Sequence, residues 1–211
     1  MTIRARRALR TRRAVAAAAA VAAGAAVAVA AVPAAAASAS ADTPRYLKPS
    51  QLPPHPTSPW YAGPVTAGQP DPLPACGGDP LPSIASHRSY WTEYDTNALQ
   101  VTVVERSTQR AKDFAALLRK DLADCAEKLM RQDPDVTATE KYYGRLNVEE
   151  GAHVYGIHTT STWGSSDISL YSVGRDGSTV TLVRWAQMGT FQHAQVADFK
   201  KTTVTAVNRL Y

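Results

Sequence analysis

Apolar and polar positions alternate over Leu99, Val101 and Val103, with Gln100 and Thr102 between them. That is the two-residue period of a strand with one face in a core. Tyr90 to Tyr94 is a second β-rich run, and Asp95-Thr96-Asn97-Ala98 supplies turn residues between the two, so a hairpin is expected. The period then changes. Ala111, Phe114, Leu118, Leu122, Cys125 and Leu129 recur at three- and four-residue steps, the stripe of an amphipathic helix. Ser107 or Thr108 can cap its start, and Pro134 closes it.

Four strands are expected next: Thr137 to Leu146, Ala152 to Thr160, Ile168 to Gly174 and Thr179 to Gln187. Asn147 to Gly151 turns the first pair, and Arg175-Asp176-Gly177-Ser178 turns the last, where Asp-Gly is a strong hairpin signal. A closing helix from about Gln192 carries Val196, Phe199, Thr203, Val207 and Leu210 on one stripe. The order is ββαββββα. Short connections imply an α+β domain with a mostly antiparallel sheet of about five or six strands, both helices covering one face.

Composition divides the chain upstream of this region. Residues 1–41 begin with six arginines (Arg4, Arg6, Arg7, Arg10, Arg12, Arg13), continue through the apolar run Ala14 to Val32, and end in small residues with several A-x-A sites. That order describes a cleavable export signal, with the best cut leaving Asp42 as the mature N-terminus. The alternative is a retained anchor, but the run is mostly alanine, which gains little from lipid. The general secretory route is favoured, since Ala14-Val15 continues a twin-arginine signal poorly. Residues 42–82 hold twelve of the fourteen prolines, so they are read as an extended arm with no core of its own. Its first part is expected to be disordered and its second to lie along the folded domain, residues 83–211, although a plain spacer fits the same composition.

Charge removes one class of partner. The precursor has 23 basic and 18 acidic residues; without the six arginines of the signal, 17 basic residues face 18 acidic ones, a net charge of −1. The basic balance belongs to the targeting segment, and nucleic acid is not an expected partner. Nor is a stable membrane anchor expected after cleavage. Two cysteines, Cys76 and Cys125, are expected to form one disulfide outside the cytoplasm.

Chemistry is sparse. His153 and His158 share an expected strand but are five residues apart, so they point to opposite faces and cannot hold one ion together. Ser165-Ser166 lacks the strained motif of a hydrolase nucleophile, and Glu149-Glu150 reads as a solvated turn. No cofactor is implied and no enzyme activity is expected. What remains is a polar-aromatic set on neighbouring strands: Tyr143, Arg145, His153, Tyr155, Tyr171, Arg184 and Trp185. Tyr143 and Arg145 should share a face, as should His153 and Tyr155, and together such residues could line a shallow pocket on the uncovered sheet face.

The stretch Tyr171 to Thr181, the closing Phe199 with Ala206-Val207-Asn208-Arg209-Leu210, and the lead-in Pro56-Thr57-Ser58-Pro59-Trp60 carry a resemblance. Together they resemble small secreted or lipid-anchored actinobacterial proteins related to the extracellular sensor domain of the mycobacterial receptor kinase PknH. The resemblance implies an α/β domain with an antiparallel sheet and a ligand-binding cleft, and it assigns no functional residue. The chain departs from the kinase in carrying one cysteine pair where the kinase sensor has two, and in having no kinase domain. The leading expectation is a secreted, non-enzymatic ligand-binding or sensor-like domain whose partner is a small molecule or cell-envelope component. A cell-surface interaction or inhibitor module and an unrecognised hydrolase are the alternatives.

Overall fold

The structure is a computed structural model and describes residues 43–211. The expected export signal and its cleavage point lie outside the described residues. The fold class is α+β, as the periodicities imply, built on one antiparallel sheet. Its strands are β1 (Tyr61–Ala62), β2 (Thr66–Ala67), β3 (Ser86–Trp91), β4 (Asn97–Val104), β5 (Val136–Leu146), β6 (Ala152–Ser161), β7 (Ser166–Asp176) and β8 (Thr179–Met188). They lie in the order β1-β3-β4-β8-β7-β6-β5, with β2 also on β3. The two strands beyond the expected six, β1 and β2, come from the proline-rich arm and are two residues each.

The expected first helix is two helices, α1 (Thr108–Ala123) and α2 (Cys125–Gln132), which meet at Asp124. Ser107 caps α1, its side chain accepting from the Arg110 amide. Asp133 ends α2 in extended backbone, φ −139° and ψ 111°, the conformation forced on a residue preceding proline. The closing helix, α3, spans Val196–Asn208.

One expectation about the layers is corrected. The helices do not share a face. Ala111, Phe114, Leu118 and Leu122 of α1 and Cys125 of α2 pack on Leu99, Val101, Val103, Tyr155, Ile157, Tyr171, Val173, Val180 and Leu182, which we term the front face. Phe199 and Ala206 of α3 pack behind the sheet on Ala98, Val154, Ile168, Leu170, Val183 and Trp185. Register confirms the division: Val101 pairs with Leu182, and Leu170 with Trp185. The physical reason is visible in β8. Val180 to Val183 and Trp185 to Ala186 are buried almost without interruption, as a strand covered on both faces requires.

The arm holds more core than its composition promised. Tyr46, Leu47 and Leu52 are buried, the last two among the α3-side residues, where disorder was expected. Buried Gln100 accepts the Leu47 amide at 2.8 Å, and Tyr90 and Arg88 donate to its carbonyl, so the backbone enters the core with its polar groups satisfied. From there the arm runs along β3 through β1 and β2 and reaches the front face, where Cys76 and Leu81 join the α1-side core. The Cys76–Cys125 disulfide, with Cα atoms 5.6 Å apart, ties it to the first residue of α2.

Candidate functional site: an arm-walled cleft and a cationic pocket

α1 and α2 cover only part of the front face and leave Thr159, Asp167 and Arg184 outside the core beneath them. There the arm itself supplies the missing wall. Pro72, Leu73, Pro74, Ala75 and Cys76 stand over Leu99, Ile157, Thr159, Ser169, Tyr171 and Arg184, with Leu129 and Val136 closing the side. The cleft has a volume of about 400 Å³, within the range of small-molecule sites.

Three interactions fix that wall. The disulfide is the first. The Gly77 amide donates to Asp121 Oδ2 at 2.7 Å. Lys128 Nζ bridges Asp79 and Asp121, each at 3.1 Å. Burial opposes the Lys128 charge, but its bonds to Asp121 and Asp79 outweigh burial and raise its pKa. A proline-rich segment held at its end in this way stays close to one shape, because its φ angles are already set.

The cleft has a mixed apolar and polar lining. Leu99, Leu129, Val136 and Ile157 are its apolar residues and Thr159, Ser165, Asp167, Ser169 and Arg184 its polar ones, beside the Tyr171 ring; they interleave, since Leu99 pairs with Arg184 and Ile157 with Ser169. Arg184 Nη1 donates to Asn97 Oδ1 at 2.6 Å. Among the described residues it has no carboxylate within 4.0 Å. Its remaining donors are available to an acceptor in the cleft.

A second, smaller pocket of about 200 Å³ lies on the same face against α1. Lys112, Ala115 and Arg119 come from one side of the helix, and Arg145, His153 and Arg175 from β5, β6 and β7. Arg145 and His153 are register partners. Arg119 Nη1 lies 3.0 Å from His153 Nε2, and Tyr142 Oη lies 2.8 Å from Nδ1. A guanidinium can only donate, so Nε2 accepts and Nδ1 carries the proton, donating to Tyr142. Burial, then the charges of Arg119 and Arg145, hold the His153 pKa below its ordinary 6.5.

The seven polar-aromatic residues singled out in the sequence are therefore divided. Tyr171 and Arg184 line the cleft; Arg145 and His153 line the cationic pocket. Tyr155 is buried on the same face with its ring 5.1 Å from that of Tyr142. Trp185 is fully buried behind the sheet and belongs to the core. Tyr143 does not share a face with Arg145. A bulge between Tyr142 and Gly144 turns it to the back, where a Cβ at Gly156 would lie 2.7 Å from its ring.

Sequence reasoning missed the arm as a wall, and it missed Arg119 and Lys112. The signal for the latter pair was present, since Lys112, Ala115 and Arg119 stand at i, i+3 and i+7, beside the apolar stripe. Asp167 and Ser169 carried no signal of their own.

One pair bears on hydrolysis. Ser166 Oγ lies 3.0 Å from His158 Nε2, on the back face. Ser166 Oγ also donates to the Gly189 carbonyl at 3.2 Å, which leaves the histidine as donor to the serine. His158 packs on Phe191, and no acid among the described residues hydrogen-bonds its Nδ1. A general base needs the reverse direction and an orienting partner. No group of three metal-ligating side chains occurs among the described residues. No protein-family model matches the chain, and no curated protein matches it.

Proposed function

We propose that the protein is an exported, non-catalytic binding domain that takes a small amphipathic molecule in the arm-walled cleft. The carrying observation is the mixed lining itself: the apolar Leu99, Leu129, Val136 and Ile157 stand among polar residues that include Arg184. A ligand that fits would lay its apolar part along the former and present an acceptor oxygen to the guanidinium. The resemblance to sensor domains with a ligand-binding cleft supports the same reading. Export is supported by the leading sequence of residues 1–41 and by the disulfide. No helix among the described residues is long and apolar enough to cross a membrane.

Thermal-shift measurements with a panel of amphipathic acids and alcohols test the reading. At least one class should raise the melting temperature of the native protein. Leu129→Trp, which fills the cleft, should abolish the rise, and Arg184→Gln should weaken it for acids more than for alcohols. Shifts that are indifferent to both substitutions would place binding elsewhere and remove the cleft from the account.

A further inference from the structure

The cationic pocket against α1 has no part in the cleft reading. Of its cations, Arg175 has an acid partner, while Lys112, Arg119 and Arg145 stand without one among the described residues. Among the described residues Glu150 is the one carboxylate lining it, and that carboxylate is committed: Oε1 lies 3.4 Å from Arg175 Nη1, and both oxygens accept from the Gly177 amide at 3.1 Å. Lys112, Arg119 and Arg145 have no acid within 4.0 Å among the described residues.

The two arginines are nevertheless held in place. Arg119 donates to the Ala115 carbonyl and to His153; Arg145 donates to the Glu150 carbonyl at 3.2 Å. Gly151, at φ +104°, lets the Arg145 guanidinium lie against the backbone, since a Cβ there would sit 2.6 Å from Nε and 2.7 Å from Nη2. Neutral acceptors thus orient both forks while leaving each with unspent donors and an unbalanced charge. Gathering like charges around a concavity costs electrostatic energy unless an anion enters it.

From this geometry we infer that the pocket binds a phosphate-type oxyanion between Arg119 and Arg145, with Lys112 adding charge at the rim. Its volume suits one such group, and two planar forks suit an anion with several acceptor oxygens. The group can arrive as free phosphate or as the head of a phosphorylated molecule.

Isothermal titration of the disulfide-bonded protein at low ionic strength tests this with inorganic phosphate and, separately, glycerol phosphate as probes. Arg119→Gln and Arg145→Gln should each weaken binding by roughly 10–100-fold, the worth of a charge-assisted contact. Arg145→Lys should lose less, and Arg131→Gln, exposed on α2, should change nothing. Arg145 is exposed, so its replacement should leave the core intact, and circular dichroism serves to check the fold of each variant. Tighter binding of the ester assigns the pocket to a phosphorylated molecule, and equal binding assigns it to free phosphate. Absence of binding at millimolar phosphate, or binding that survives both glutamine variants, overturns the inference. Because Arg184→Gln should leave phosphate binding unchanged, failure here is distinguishable from failure of the cleft.

Discussion

Truncating Leu118 to alanine removes three carbons from a side chain that is 1 % exposed and sits among the front-face residues under α1. At about 0.8 kcal/mol per carbon the transfer loss alone is roughly 2.4 kcal/mol. The cavity adds to this, because the disulfide at Cys125 and the sheet beneath restrain collapse of the site, for a total of about 3–4 kcal/mol. In a domain of this size that lowers the melting temperature by roughly 6–16 °C. Its neighbour provides a control of identical chemistry. Leu117 is 51 % exposed, so Leu117→Ala loses about half the transfer energy and leaves no cavity, for about 1 kcal/mol or less. Calorimetric melts of the two variants, with the disulfide intact, decide the matter. Equal shifts would refute the assignment of the stripe from Ala111 to Leu122 to a core.

Replacing both cysteines by serine should cost about 4 kcal/mol by the chain-entropy argument and should expose the arm near Leu73 to proteases before the rest of the domain; unchanged stability and cleavage would contradict the arm's role as a wall. Gly174→Ala places a methyl group onto Val207 of α3 and should cost about 1–3 kcal/mol by overpacking, whereas Gly63→Ala meets nothing closer than 3.7 Å and should cost far less; equal losses in urea unfolding would remove α3 from the back face. The His153 pKa is lowered first by burial and then by Arg119 and Arg145, and Lys112, Arg175, Glu150 and Tyr142 also border it. The folded state therefore binds this proton less readily than the unfolded chain, so the site contributes nothing above about pH 6.5 and destabilises as pH falls through and below it. NMR titration should find its midpoint below 6.5 and should see it rise in Arg119→Gln; a midpoint at or above 6.5 would contradict the contact.

Elements were more legible in the chain than faces. Strand and helix periods at Leu99 to Val103 and Ala111 to Leu129 depend on local spacing, which a single sequence displays directly. The placement of α3 depends instead on which side of the sheet remains to be covered. The signal lies in β8, where Val180 and Leu182 stand at one parity and Val183 and Trp185 cluster beside them, so that both faces carry large apolar residues. The bulge at Tyr143 is local, yet it has only Gly144, with φ +99°, to announce it, and one inserted residue reverses every side chain before it relative to those after. The arm was hardest to read. Leu47 and Leu52 enter the core singly, without periodicity, and their burial depends on distant partners such as Gln100 and Tyr90. The cleft follows from that same long-range docking, so Arg184 and Tyr171 were visible as residues while the wall that makes them a site was not.

The proposed function requires that the arm and the front face together hold a ligand. Native mass spectrometry of the protein recovered from the culture medium of its own host tests it most directly. The expected species is a chain beginning at Asp42 or within four residues before it that carries a discrete added mass, retained by Arg131→Gln and lost or depleted in Leu129→Trp. A bare chain in every case, or an adduct carried equally by Leu129→Trp, would contradict it.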